Sequence, residues 1–186
     1  MYRLFFVFLL SVLLGCTPEK ENTGSETAAS TEQPDVEQRL AALGIELPEV
    51  SAPVANYVNA VRSGNLLFLA GKGPRKSDGS YITGRVTEEL TLSEAQEAAR
   101  LTAINQLAVL KAELGDLNKV KRIVKVNGMV NSPPGFGNQP EVINGFSDLM
   151  VEVFGERGKH ARAAVGMSSL PRNIAVEVEM IVEVEE

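Results

Sequence analysis

From Ile174 onward the chain alternates without a break: Ile174, Val176, Val178, Met180, Val182 and Val184 share one face of an extended strand, and Glu177, Glu179 and Glu183 fall on the other. A strand of this pattern has one dry face and one wet face, so it must sit in a sheet covered on one side. The rest of the sequence has to supply that cover. Residues 93–114 carry helical periodicity, with Leu101, Ile104, Ala108 and Leu114 in an apolar stripe supported by Leu107 and Leu110. Ser93 followed by Gln96 reads as the capping box that opens this helix, and Gly115 as its stop. Residues 120–130 read as a second strand and residues 141–154 as a second helix. Nearer the start, residues 56–63 and 65–71 read as a hairpin turning at Gly64-Asn65, with a short strand at 81–83. The expected architecture is a mixed α+β layer, two helices packed on one face of a mixed sheet. The other face then stays bare, and a domain of this size covers such a face with a partner.

The first fifteen residues, MYRLFFVFLLSVLLG, hold one basic residue and a short apolar run, the pattern of an export leader too short for a permanent span. Leu13-Leu14-Gly15-Cys16 resembles a bacterial lipobox, which makes Cys16 the expected lipidation site and residues 1–15 a lipoprotein signal peptide. Residues 16–35 contain no large apolar side chain and are expected to form a disordered tether. Residues 36–50 read as a short helical brace ended by Gly44 and Pro48, ahead of a globular domain over residues 51–186. The expected location is therefore the bacterial cell envelope, with the chain exported and membrane-anchored through lipid. By resemblance to the lipoprotein sorting rule, Thr17 rather than aspartate after the cysteine favours the outer membrane or periplasmic face.

Eighteen Lys and Arg against 24 Asp and Glu leave a formal charge of −6, and no basic stripe with interleaved aromatics stands out, so nucleic acid is not an expected partner. The single cysteine is the proposed lipid site, which leaves no thiol nucleophile or disulfide in the folded part. One histidine, His160, cannot build a His-rich metal cluster, and no phosphate-cradling loop is present, so neither metal nor cofactor is expected.

Two blocks carry a more specific reading. In RAAVGMSSLPRNIAVEVEMIVEV, Arg162, the Leu170-Pro171 turn and Glu177 stand at fixed spacing, and VANYVNAVRSGNLLFLAGKGP supplies Tyr57, Gly64-Asn65, an apolar strand, Gly71 and Pro74. In that order these blocks resemble the RidA (YjgF) family, the reactive intermediate imine deaminases, over roughly residues 51–184. The resemblance implies a chorismate mutase-like fold that assembles as a homotrimer with clefts between neighbouring subunits. It also implies an activity, the hydrolysis of small 2-imino or enamine carboxylic acids to 2-oxo acids and ammonia. Arg162 matches the family arginine that pairs with the substrate carboxylate, a task suited to a planar guanidinium. Glu177 matches the glutamate that positions the attacking water. Tyr57 matches the tyrosine bordering the cleft, and Gly71 the glycine where backbone approaches the ligand. The sequence departs from the family where a pocket cysteine is replaced by Ala164, a small polar residue by Ala163, a serine by Ala70 and a glutamine by Lys72. Lys72 either adds a second positive group for an acidic ligand or points to solvent. Without the thiol and serine, a non-catalytic lipid-anchored trimer that binds small carboxylates is the alternative function.

Overall fold

The computed structural model describes residues 35–53 and 55–186; the expected leader, Cys16 and all but the last residue of the expected tether lie outside the described residues. The order is helix α1 (Val36–Ala42), strands β1 (Ala60–Ser63) and β2 (Leu66–Lys72), helix α2 (Leu92–Leu114), strand β3 (Val120–Asn131), helix α3 (Gln139–Phe154), and strands β4 (Ala161–Met167) and β5 (Val176–Val184). They form one five-stranded sheet ordered β1-β2-β5-β3-β4, antiparallel except for the β3–β4 pair. The α+β layer expected from the alternation is therefore present.

The alternating strand sits at the centre. Val176, Val178, Met180, Val182 and Val184 are all buried, and their partners across β2 and β3, among them Leu67, Leu69, Ile123, Val126 and Val130, are buried with them. Helices α2 and α3 cover this face through Leu107, Leu110, Ile143, Phe146 and Met150. A buried Val, Leu, Ile, Phe or Met side chain contributes about 1.5–3 kcal/mol, so this layer is the main source of stability. The helices cross closely because position 145 has no side chain. A Cβ on Gly145 would fall on the carbonyl oxygen of Gln96 in α2. Helix α1 joins the same layer through buried Val36 and Leu40, and Arg39 Nη1 donates 3.0 Å to Glu152 O in α3.

Three details differ from the sequence reading. Helix α2 is capped by Thr91 and Glu94 rather than Ser93 and Gln96. Thr91 Oγ1 accepts from Glu94 N at 3.2 Å, and Glu94 Oε2 accepts from Thr91 N at 2.8 Å. This earlier box places a carboxylate on the helix N-terminus, which a glutamine cannot do. Strand β1 begins at Ala60, not residue 56, because β2 shifts register after Leu69 and the ladder to β1 ends at the Ala70 N to Asn59 O bond. Residues 81–83 form only the isolated bridges Arg75–Tyr81 and Thr83–Ile174. The brace over residues 36–50 is helical as expected: α1 is closed by Leu43 and by Gly44 at φ 66°, with Gly44 N donating to Ala41 O and Ile45 N to Leu40 O.

Among the described residues no element covers the far side of the sheet. Val61, Phe68, Val165 and Met167 project from it and are 56%, 42%, 41% and 36% exposed. Gly145→Ala is expected to lower the urea midpoint at unchanged m-value, with a loss of about 1–3 kcal/mol from forcing α3 off α2.

Candidate functional site

Between β2 and β5 the register slips, so that Leu69 faces Met180 but Lys72 faces Val178. Three residues of β2 thus span two of β5, a β-bulge over Ala70 and Gly71. A bulge leaves carbonyls without ladder partners. Here a side chain of α2 takes them: the buried amide of Gln106 donates 3.0 Å to Ala70 O and 2.7 Å to Val178 O. On the uncovered face the bulge sets Gly71 against Glu177, and a Cβ at position 71 would collide with the Glu177 carboxylate. The missing side chain of Gly71 is the space in which that carboxylate lies.

Glu177 is half-buried, and burial pushes its carboxyl above the ordinary carboxylate range, with the neighbouring Glu179 adding to the shift. It opens into a cleft of about 1070 Å³, part of it continuous with solvent, bordered also by Tyr57, Gly71, Lys72, Arg75, Tyr81 and Arg172. Tyr57 lies ahead of β1 and is 48% exposed. Lys72 does not simply point to solvent: its Nζ donates 2.5 Å to Asn59 Oδ1, and burial pulls its pKa below the usual lysine value.

Two loops carry the cleft's arginines, and an asparagine anchors each. Asn105 of α2 donates from Nδ2 to Gly73 O at 3.2 Å and Arg75 O at 3.0 Å. Asn131, buried at the end of β3, donates to Asn173 Oδ1 at 2.9 Å and Ile174 O at 3.3 Å. The second loop is the expected Leu-Pro turn, and in it Arg172 and Asn173 both hold φ of 57°, the left-handed region that non-glycine residues rarely occupy. Gly84 N to Asn173 O and Ala175 N to Ile82 O tie that turn to the segment after Tyr81.

The predicted residues therefore divide. Tyr57, Gly71, Lys72 and Glu177 converge on the cleft; Arg162 does not. Arg162 pairs with Val126 across β3–β4, and Val126 is buried on the helix face, whereas Glu177 pairs with Met129 on the uncovered face. Arginine and glutamate of one chain thus sit on opposite sides of the sheet, with Arg162 on its edge strand. There its Nη1 donates 2.9 Å to Asn144 Oδ1 and 3.0 Å to Ser147 Oγ of α3. Ser147 Oγ also lies 3.0 Å from His160 Nε2, and His160 Nδ1 lies 2.6 Å from Gly158 O. The carbonyl requires a proton on Nδ1, so in the neutral ring Nε2 accepts from Ser147. Burial holds the His160 pKa down, which favours that neutral form, and Arg162 adds to the effect against the opposing Gly158 bond.

The YjgF/chorismate mutase-like family model, described further as "putative endoribonuclease", matches residues 37–184. The chain belongs to the YjgF/RidA family. Protein TCP17 of Trypanosoma cruzi is 48% identical over 149 residues, covering 80% of this chain and 93% of that protein. The 2-iminobutanoate/2-iminopropanoate deaminase of Dermatophagoides farinae is 32% identical over 142 residues, with coverage of 76% and 95%. The solved structure of Atu1372 from Agrobacterium tumefaciens is similar with a TM-score of 0.75 and 49% identity, covering 81% of this chain and 94% of that one. The sheet and helices described above are thus the RidA-type fold.

Sequence reasoning missed Gln106, Asn105, Asn131, Arg75 and Arg172. For Gln106 the available signal was a polar side chain at a position of α2 otherwise facing the core. The raised pKa of Glu177 gives a sign to its effect on stability. Its folded form binds the proton more tightly than the unfolded form, so stability falls as pH rises from the ordinary glutamate range through the raised value. Glu177→Gln is expected to raise the Tm at pH 7, and the gain should vanish below about pH 4, where both forms of the side chain are neutral.

Proposed function

We propose that this RidA-family chain hydrolyses small 2-imino carboxylic acids to 2-oxo acids and ammonia. The observation that carries the reading is the Glu177 carboxylate, half-buried against Gly71 at the wall of a cleft and raised in pKa. A carboxylate whose proton affinity is raised in this way is a stronger base than an exposed one and can return the proton it takes. In this scheme Glu177 accepts a proton as water attacks C2 of the protonated imine, giving a carbinolamine. It then returns that proton to nitrogen, the C–N bond breaks, and loss of the hydroxyl proton to the departing ammonia leaves the 2-oxo acid and ammonium. The deaminase name of the Dermatophagoides relative supports the same chemistry.

Arg162 enters from a second copy. In this proposal the chain is a homotrimer whose uncovered sheet faces meet, with the β4 edge of one subunit bringing Arg162 to the cleft of its neighbour, where it holds the substrate carboxylate. The exposed Val61, Phe68, Val165 and Met167 supply the apolar surface for that association. Arg162 comes prepared, since Asn144 and Ser147 occupy only Nη1. A guanidinium held on one nitrogen keeps donors for a carboxylate.

The non-catalytic alternative draws its support from Ala164 and Ala70, which leave the pocket without the thiol and serine expected there. The acidic balance of the chain speaks against nucleic acid as a partner for either function. For both, the proposed location is the cell envelope, through lipid on Cys16.

Two measurements test this. The full chain is expected to accelerate ammonia release from freshly generated 2-iminopropanoate, and Arg162→Ala to remove at least about two orders of magnitude of that rate through lost positioning. No acceleration by the wild type, together with Arg162-dependent binding of 2-oxobutanoate, would establish the binding module instead. For the anchor, Cys16→Ser is expected to leave unprocessed, unlipidated precursor; a normally processed, soluble variant would reject the lipobox reading.

A further inference from the structure

The cleft carries more positive charge than a simple 2-imino acid needs. Among the described residues Lys72, Arg75 and Arg172 border it against the carboxylate of Glu177, an excess of two positive charges in a chain whose formal charge is −6. Among the described residues neither Arg75 nor Arg172 forms a salt bridge, while Arg85, Arg100, Lys111 and Lys159 all do. The bonds that fix Lys72 and the two arginine loops come from neutral groups, Asn59, Asn105 and Asn131, which hold geometry and leave charge unspent. Gly71 and Glu177 stand on strands β2 and β5, whereas Arg75 and Arg172 stand on the two loops that border the same cleft.

The Arg172 loop is shaped for this. Two successive residues at φ of 57° are unfavourable for an arginine and an asparagine, yet Asn131 and the backbone bonds to Ile82 and Gly84 hold them there. Local strain of this kind persists where the surrounding structure enforces it. The bridge between Arg75 and Tyr81 and the one between Thr83 and Ile174 join the two arginine loops into one wall.

We infer that the cleft is selective for dicarboxylates: 2-imino acids, or the corresponding 2-oxo acids, with a second carboxylate at the far end of a short chain, held by Arg75 and Arg172. This rests on the hydrolase reading for the position of the imine at Glu177. The charge matching does not, because a dianion neutralises the excess of two in a single copy of the chain.

The test compares 2-oxoglutarate with 2-oxopentanoate, equal in chain length and differing in the distal carboxylate, by calorimetry on the full chain at low ionic strength. The dicarboxylate is expected to bind roughly tenfold more tightly or better, with the preference shrinking as salt screens the arginines. In Arg75→Gln/Arg172→Gln the ratio of affinities should fall toward one, and in Arg75→Lys/Arg172→Lys it should largely survive. The single glutamine variants, each losing part of the preference, serve if the pair does not fold. Equal affinities in the wild type, or a preference that survives the double glutamine change, would overturn the inference. Ammonia release from 2-iminoglutarate and 2-iminopentanoate separates the two ideas. Turnover of both without preference leaves the hydrolase and removes the selectivity, whereas an arginine-dependent binding preference without turnover keeps the selectivity and removes the hydrolase.

Discussion

Ala70 O and Val178 O both turn toward α2 and receive the same buried amide, that of Gln106. On that pair of bonds depends the change of register between β2 and β5, and on the change of register depends the site. A buried carbonyl without a partner costs about 1–3 kcal/mol, so a bulge inside a covered sheet persists only when something on the covering layer meets it. Gln106 sits on the buried face of α2 for that reason. The bulge then turns Gly71 onto the uncovered face, clears space for the Glu177 carboxylate, and ends the ladder to β1, which places Tyr57 in a loop at the rim.

The sheet divides labour between its faces. The helix face is continuous hydrocarbon apart from a few polar side chains that each answer a backbone need, such as Gln106 and Thr102, whose hydroxyl donates to Ala98 O. The uncovered face carries the ionisable groups, with Glu177 and Glu179 side by side on β5. Arg162 is one of the exceptions. It stands at the sheet edge on the helix side, in a chain of side chains running from Asn144 and Ser147 to His160, so its orientation is set by α3 rather than by the cleft it is proposed to serve.

How far the sequence reached follows from the range of the physics involved. The alternation from Ile174 to Val184, the Gly64-Asn65 turn and the Gly115 stop are local signals, and each reported a real feature of the backbone. The fold and family were legible from the spacing of Arg162, Leu170-Pro171 and Glu177. The face on which Arg162 lies was not, because parity between β4 and β5 is set by two successive pairings through β3, and a one-residue slip in either reverses it. Arg75 and Arg172 were invisible for a similar reason. They are nearly a hundred positions apart, and only single bridges and asparagine side chains bring their loops to the same wall.

The left-handed backbone at Arg172 and Asn173 has a consequence for binding. A glycine pair would adopt this conformation freely, but it would also sample many others, and a ligand would have to collect the loop from that ensemble. With Arg172 and Asn173 the alternatives are few in the unfolded chain and the native one is enforced by Asn131. The loop is therefore preorganised: the strain is met once, at folding, from the stability of the core, and an arriving anion finds the Arg172 backbone already in place, so little of its interaction energy is diverted into ordering the protein.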